Sequence, residues 1–276
     1  MLKQVITSKR CTDIDLRLTG KRAFISGSTQ GIGYAVARAL AAEGAAVVLH
    51  GRTPDGVQAA VRRLREEEHG TEVLGIAGDV ADDDELGRLL EAVGDVDVLV
   101  NNVGVFEVRP FAALTDADWR RVLDVNLMSA VRLSRQLMPG MLERGWGRIV
   151  MVSSESGVDV PADMIHYGVS KAAVLALANG LAKLTRGTEV TVNTVLGGPT
   201  YSDGVTSAVR HVADVQGLSE EDMKAAIAAS NTSSLVQRFL EPAELASLVT
   251  YLASPLSSAT NGGALRADGG RLVQVL

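Results

Sequence analysis

Short β-branched runs alternate with longer segments of helical period along almost the whole chain. The runs at 22–26, 45–50, 72–76, 96–100, 148–152 and 189–195, with a last one near 264–266, read as strands. Between them, 32–43, 54–69, 82–93, 116–144, 165–186 and 242–253 carry the spacing of helices. Such alternation is the signature of βαβ units, and it predicts an α/β fold with a doubly wound parallel sheet of about seven strands and helices on both faces. Gly44, Gly70 and Gly94 fall just after predicted helices, where a residue with positive φ ends a helix at little cost. There is no internal repeat, low-complexity tract or interdomain linker.

A length of 276 residues with 46% hydrophobic positions suits one large domain with a sizeable core. Lys and Arg total 27 against 33 Asp and Glu, a formal charge of −6, and no basic block interrupts the body of the chain. Nucleic acid and anionic membrane are therefore not expected as partners. No apolar run approaches the ~20 residues a membrane-spanning helix needs, and the start, MLKQVITSKRC, lacks the apolar stretch of a secretion signal. The single cysteine, Cys11, can form neither an internal disulfide nor a thiolate metal cluster, which fits a reducing compartment and a cytoplasmic protein without a metal site. Residues 1–18 carry Lys3, Lys9, Arg10 and Arg17 without clear periodicity and read as a poorly ordered N-terminal arm, leaving 19–276 as the single domain.

The first stretch with chemistry in it is SGSTQGIG, residues 26–33, between the first strand and the first helix. Gly27, Gly31 and Gly33 let the backbone turn tightly and approach a pyrophosphate, whose charge the free N–H groups and the helix dipole would stabilise. No G-x-x-x-x-G-K-[ST] occurs, which disfavours a nucleotide kinase or ATPase, and no G-x-S-x-G elbow occurs, which disfavours a serine hydrolase. Further polar residues stand at later strand ends: GDV (78–80), NNVG (101–104) and VSSESG (152–157). Each alone could be turn chemistry, but together they line one edge, where open α/β sheets bind their ligands.

With these residues in place the chain closely resembles the short-chain dehydrogenase/reductase family, from about Thr19 to Gly270. The resemblance rests on Gly27-Ser28-Thr29-Gln30-Gly31-Ile32-Gly33, on Asn101-Asn102-Val103-Gly104, on Asn126, on Ser154 and on Tyr167-x-x-x-Lys171. Ser154 precedes Tyr167 by 13 residues, the family's interval, which favours it over Ser153. The resemblance implies a Rossmann-type fold and an NAD(P)-dependent oxidoreductase that passes a hydride between a nicotinamide and a carbonyl or secondary alcohol. Tyr167 is then the general acid or base, Ser154 hydrogen-bonds the reacting oxygen, Lys171 lowers the Tyr167 pKa and holds the nicotinamide ribose, and Asn126 anchors a water linking Lys171 to solvent. Four residues apart on a helix, Tyr167 and Lys171 share a face, and a neighbouring ammonium favours the phenolate. His166, the immediate neighbour of Tyr167, should point to another side of the helix. A non-catalytic nucleotide sensor on the same fold is the alternative, and it would be expected to lack one of the three catalytic side chains.

The resemblance also assigns the cofactor contacts: Gly27, Thr29, Gln30, Gly31, Ile32 and Gly33 on the glycine turn, Asp79 and Val80 after the third strand, and Asn101, Val103 and Gly104 after the fourth. Tyr167 and Lys171 are expected to touch the nicotinamide half, with Gly198, Thr200 and Ser202 beyond the sixth strand. NAD-preferring relatives end the second strand with a carboxylate. Here that position is Gly51, followed by Arg52 and Thr53, which suit a 2′-phosphate, so NADP(H) is expected over NAD(H), with NAD(H) possible. Two departures from the family pattern are Val103, where Ala is usual, and Gly197, where proline is usual. Gly-Gly at 197–198 predicts a loose hinge, and Gly197→Pro is expected to be tolerated.

Residues 197–236 form a segment far beyond the roughly 12–15 residues of an unstructured loop, and they predict a substrate lid with its own helices. Ser219 to Asp222 reads as a helix cap. Tyr201, Val205, Val209, Met223 and Ile227 either offer an apolar underside to substrate or pack against the body. Glu155, Val105, Phe106, Val160, Pro161 and Met164 rim the opposite side, so Ser154, Glu155, Tyr167 and Tyr201 form the expected substrate set. Ketoacyl thioesters, steroids, sugars and polyols all remain open as substrates. The long helical segments 116–144 and 165–186 resemble those that pair across two-fold axes in the family, implying a homotetramer or homodimer.

Overall fold

The computed structural model of the protein describes residues 14–230 and 233–273. Seven strands form one parallel sheet: β1 (Arg22–Ile25), β2 (Ala46–Gly51), β3 (Val73–Ala77), β4 (Val98–Asn101), β5 (Trp146–Ser154), β6 (Glu189–Gly197) and β7 (Ala264–Ala267), in the order β3-β2-β1-β4-β5-β6-β7. The helices among the described residues are α1 (Gly31–Ala42), α2 (Pro54–Glu67), α3 (Asp83–Val93), α4 (Asp116–Leu123), α5 (Ser129–Arg144), α6 (Ile165–Leu184), α7 (Asp203–Gln216), α8 (Glu220–Ser230) and α9 (Pro242–Ala253). This is the expected doubly wound sheet.

Strand residues alternate between two cores. Ala23, Ile25, Val47, Leu49, Val98, Val100, Val150 and Val152 pack with α1, α2 and α9. Phe24, Val48, Leu99, Ile149 and Met151 face the other way, onto α3, α5 and α6. A sheet covered on both faces needs apolar side chains at successive positions, which is why the strands read as short unbroken runs. From β1 the chain winds outward through β2 and β3, then crosses back to β4 on the other side of β1. The carboxyl ends of β1 and β4 therefore open a crevice at the topological switch point, the place where such sheets bind ligands.

Local chemistry sets the helix starts around this crevice. Thr53 Oγ1 accepts from Gly56 N ahead of Pro54, Asp82 accepts from the amides of Asp84 and Glu85, and Thr115 and Asp118 cap each other's amides. Segment 116–144, expected as one helix, is continuous but not uniform. A π-helical turn, Asp124–Met128, joins α4 to α5 and turns Asn126 inward until it is 2% exposed. Such turns re-aim a side chain without ending the helix.

Three expectations are corrected by the packing. Val209, Ala213 and Met223, with Tyr201, Val205 and Ile227, form a small core between α7 and α8, so these side chains serve the lid's own cohesion rather than the body. Asp222 N donates to Ser219 Oγ at 3.0 Å, the expected cap. Gly197 is not a hinge: it closes β6, paired with Ser154 and Ala267, and a Cβ there would lie 2.7 Å from Leu245 Cδ2. Because Leu245 is fully buried, Gly197→Pro requires it to repack, and the simple tolerance expected does not follow.

The arm is the third correction. Residues 1–13, including Cys11, lie outside the described residues, but Leu18 is 0% exposed and Leu16 packs against the first core. Leu18→Ala is therefore expected to destabilise the domain by about 2–5 kcal/mol, the usual range for a buried leucine. Urea unfolding followed by circular dichroism checks this, and a change below about 0.5 kcal/mol, as at an exposed site, would place Leu18 outside the cooperative core.

Candidate active site

The glycine turn is built by close approach. Gly27 and Gly31 hold φ of 65° and 60°, in the left-handed region, and a Cβ on Gly33 would lie 2.3 Å from Gly27 O and 2.5 Å from Asn102 Nδ2. Two side chains clamp the turn from neighbouring strands. Gly27 N donates to His50 Nδ1 at 3.0 Å, so the ring hydrogen sits on Nε2 and points to Gly78 O at 2.9 Å. Burial pushes the His50 imidazole down, which keeps it neutral in this role. From β4, Asn102 Nδ2 donates to Ser26 O at 3.1 Å and to Gly27 O at 2.8 Å.

Asn101 was expected here, and the structure turns it away. Its Nδ2 donates to Ser134 Oγ on α5 at 3.2 Å, which pins β4 to that helix. The side chain that reaches the turn is that of the second asparagine, Asn102. Val103 lines the turn, with Cγ2 3.1 Å from where a Cβ on Gly27 would stand. His50 and Asn102 were both missed by sequence reasoning; the NNVG motif pointed to the right loop but not to the right side chain.

The turn also shows what it would bind. Gly31 N, at the start of α1, donates to Asp203 Oδ2 of the lid at 2.7 Å. That carboxylate oxygen stands in for a phosphate oxygen at a helix N-terminus, and Ser202 Cβ lies 3.4 Å from the position a Cβ on Gly31 would take. The cradle therefore fits a dinucleotide pyrophosphate. Further along, Gly51 ends β2 with a hypothetical Cβ only 2.5 Å from Thr29 Cγ2, so an acid at this position would displace Thr29. Arg52 beside it is exposed, Thr53 is spent as the α2 cap, and Asp79 Oδ1 accepts from Ala81 N after β3 while Val80 is buried in the second core. Gln30 and Ile32 flank Gly31 at the α1 start.

The residues beyond β6 mostly secure their own backbone. Gly198 approaches Asp268 so closely that a Cβ would lie 2.6 Å from its carbonyl, and Thr200 Oγ1 donates to Gly198 O at 2.8 Å. Tyr201, expected at the substrate, is committed elsewhere. Its hydroxyl donates to Glu220 at 2.5 Å and its ring packs edge-on against Phe239, so it braces the lid.

On the other side of the crevice β5 and α6 bring the catalytic candidates together. Ser154 ends β5 next to Tyr167, with its Oγ donating to Glu155 Oε2 at 2.5 Å and accepting from Ser156 N at 3.1 Å. Ser153 points behind the site, donating to Lys171 O at 2.9 Å. Lys171 is buried, with Nζ donating to Val152 O at 3.0 Å and lying 5.8 Å from the Tyr167 ring centroid. Gly104 leaves room for this ammonium: a Cβ there would be 3.2 Å from Nζ. Asn126 Oδ1 accepts from Val105 N at 2.7 Å, while Nδ2 donates to Val105 O and to Ser170 Oγ, both at 2.9 Å. These bonds use its side chain to fix the 105 loop against α6, so only its main chain is left for the water-holding role expected of it. His166 is fully buried, edge-on to Trp119, and takes no part in the site.

The expected lowering of the Tyr167 pKa is not what this environment produces. Burial pushes the phenol up to about 12, the Ser154 hydrogen bond lowers it and the Glu155 carboxylate raises it further. Burial likewise pushes Lys171 down to about 8. In an apolar pocket each charged form loses solvation, and at this separation that loss outweighs their mutual attraction.

A nucleotide cradle beside a Ser–Tyr–Lys cluster defines a nicotinamide-dependent oxidoreductase. A family model described as short chain dehydrogenase matches residues 21–213, and the chain belongs to the short-chain dehydrogenase/reductase family. It is 42% identical to an uncharacterized oxidoreductase, YvrD, of Bacillus subtilis, over 93% of this chain and 98% of that one. A crystal structure of L-sorbose reductase from Gluconobacter frateurii, complexed with NADPH and L-sorbose, superposes with a TM-score of 0.90 at 32% identity, covering 95% of this chain and all of that one. A variant of actinorhodin polyketide ketoreductase with NADPH gives 0.81 at 32% identity, over 91% and 97% of the two chains. The protein is thus an NAD(P)-dependent oxidoreductase. Among the described residues, no helix is long and apolar enough to cross a membrane and no cluster of His, Cys, Asp or Glu could hold a metal ion.

Asp203 occupies the Gly31 amide, so a pyrophosphate seated on that amide would have to displace a carboxylate. Asp203→Asn is expected to tighten NADPH and NADH alike by about threefold to tenfold, the equivalent of losing one competing charge-assisted hydrogen bond. Fluorescence titration of each nucleotide checks this, and weaker or unchanged binding would show that Asp203 does not compete.

Proposed function

We propose that the protein is an NADPH-preferring reductase of carbonyl compounds, able to run in reverse on secondary alcohols, with Tyr167 as its proton donor. The observation that carries this reading is the convergence of Ser154, at the end of β5, with Tyr167 and buried Lys171 on one face of α6, Lys171 Nζ lying 5.8 Å from the Tyr167 ring centroid and against Gly104. Gly27, Gly31 and Gly33 would hold the pyrophosphate, Ser202 flanks it, and Tyr167 and Lys171 face the nicotinamide half. When bound, the nicotinamide supplies the hydride. Tyr167 holds its proton at neutral pH and can give it to the carbonyl oxygen as charge develops there. Ser154 donates a hydrogen bond to the same oxygen, and the cationic Lys171 ammonium favours negative charge on both oxygens. The named substrates of relatives range from ketoacyl compounds to L-sorbose, and the reading covers the carbonyl chemistry they share. The single cysteine supports a cytoplasmic location.

Replacing Tyr167 by Phe keeps the ring and removes the transferable proton. Turnover is expected to fall by at least ~10²–10⁴-fold with NADPH binding largely kept. Steady-state rates together with nucleotide titration decide it, and activity within a few-fold of the parent would refute the role.

The NADPH preference rests on the end of β2. Gly51 places no acid where a 2′-phosphate would sit, and Arg52 is exposed beside it. The NADPH-bound structural relatives support the same preference. A charge-assisted pair contributes ~1.5–3 kcal/mol, a preference of roughly tenfold to a hundredfold. Arg52→Ala is expected to weaken NADPH far more than NADH, measured as kcat/KM for both on one substrate; a clear NADH preference in the parent would overturn the assignment.

The same reading includes a homotetramer. A groove of about 290 Å³ between the outer faces of α5 and α6 is lined by Val131, Met138, Leu142, Leu177, Leu181 and Leu184, and Leu184 is 65% exposed. A contiguous apolar patch of this kind is what a self-complementary two-fold contact covers. Light scattering at micromolar concentration should report an assembly, and a monomer would sink the claim.

A further inference from the structure

Glu155 touches Ser154 through its side chain, and carbonyl reduction itself does not require it. It follows Ser154 at the end of β5, in a short 3-10 turn, and its carboxylate folds back onto the site. Oε2 accepts from Ser154 Oγ at 2.5 Å, and Oε1 accepts from Ser156 Oγ at 3.4 Å. Arg271 attracts it through space. Burial pushes its carboxyl up, as expected for an acid removed from water.

This arrangement contains a conflict. Ser154 has one hydroxyl hydrogen. While that hydrogen is given to Glu155 it is not available to the carbonyl oxygen that Ser154 serves. A substrate resolves the conflict only if it brings a donor of its own for Glu155. A hydroxyl on the carbon next to the carbonyl does so by geometry. Oxygens on adjacent carbons lie about one hydrogen-bond length apart, and Ser154 Oγ and Glu155 Oε2 show that separation. With the carbonyl oxygen on Ser154, the neighbouring hydroxyl lies against Glu155, donates to it and frees the Ser154 hydrogen for the reacting oxygen. A simple ketone has to break the Ser154–Glu155 bond and leaves Oε2 of the half-buried carboxylate without that partner. An anionic group at the same place meets a carboxylate.

We propose that Glu155 contacts the substrate and selects neutral α-hydroxy ketones, or vicinal diols in the reverse direction, by accepting a hydrogen bond from the hydroxyl next to the reacting carbon. This rests on the reductase reading above and adds the substrate class to it. A site built to pair with a substrate hydroxyl discriminates against the analogue that lacks it. Phe106, 48% exposed and edge-on to Tyr167 at 6.2 Å, supplies an apolar wall on the remaining side.

The test compares kcat/KM for 1-hydroxy-2-butanone and 2-butanone, with NADPH, in the parent, Glu155→Gln and Glu155→Ala enzymes. The parent is expected to prefer the hydroxyketone by at least about tenfold, and both variants to bring the ratio below about threefold, mainly through a higher KM for the hydroxyketone. Melting temperatures check that the variants fold, and Glu155→Gln, nearly isosteric, carries the test if Glu155→Ala does not. A parent that prefers 2-butanone or does not turn over the hydroxyketone, or a ratio unchanged in the variants, overturns the role of Glu155 and leaves the reductase reading in place. Failure of the parent to oxidise NADPH with any member of a broad carbonyl panel would instead overturn that reading itself.

Discussion

One close approach governs the catalytic edge: the first turn of α1 is pressed against the end of β1 until no side chain fits at Gly33, where a Cβ would stand 2.3 Å from Gly27 O. Contact this tight puts main-chain polar groups in a buried place, and each must find a partner. The neighbouring strands provide them. Ser28 Oγ bridges Ile25 O and His50 N, His50 takes the Gly27 amide, and Asn102 takes the carbonyls of Ser26 and Gly27. With its other groups satisfied inward, the loop presents the Gly31 amide outward, which is why a lid carboxylate is found on it. The anion site is thus a consequence of satisfying a buried turn, and its position follows from the reversal of strand order between β1 and β4.

Much of this was legible because it is periodic or carried by single residues. Apolar runs too short for helices marked the strands, since a doubly covered sheet leaves no polar face to interrupt them. The glycine spacing marked the turn because positive φ and close approach admit little else. The interval to Tyr167 separated Ser154 from Ser153, and the structure shows the reason: successive residues on a strand point to opposite sides, so Ser153 meets the back of α6 while Ser154 meets its catalytic face.

What was not legible depends on direction or on environment. Asn101 and Asn102 are chemically identical, and β4 is buried at every position, so no pattern shows which of them reaches the turn. Nothing in DVNLM distinguishes a π turn from an ordinary one, yet that turn aims Asn126 at the 105 loop. The lid residues were seen as apolar and amphipathic. That pattern is the same whether α7 and α8 cover a substrate or cover each other, and here Met223 and Val209 do the latter. Gly197 was hidden for a related reason: its tight contact is not with its chain neighbours but with Leu245, far along the sequence.

The largest revision concerns charge. Considered as a pair, Tyr167 and Lys171 imply a depressed phenol, because an ammonium four residues along a helix favours phenolate. In the fold the two stay adjacent, but burial outweighs their attraction. Burial acts on both, and the Glu155 carboxylate, reaching the same Ser154 hydroxyl, adds negative charge on the phenol's side. The resulting order, with the phenol near 12 and the ammonium near 8, leaves Tyr167 protonated across the neutral range. The protonated phenol is the form that carbonyl reduction uses, whereas alcohol oxidation uses the phenolate, which burial and the neighbouring carboxylate both disfavour. Glu155, which is not part of the family's catalytic pattern, thus acts with burial against ionisation of Tyr167.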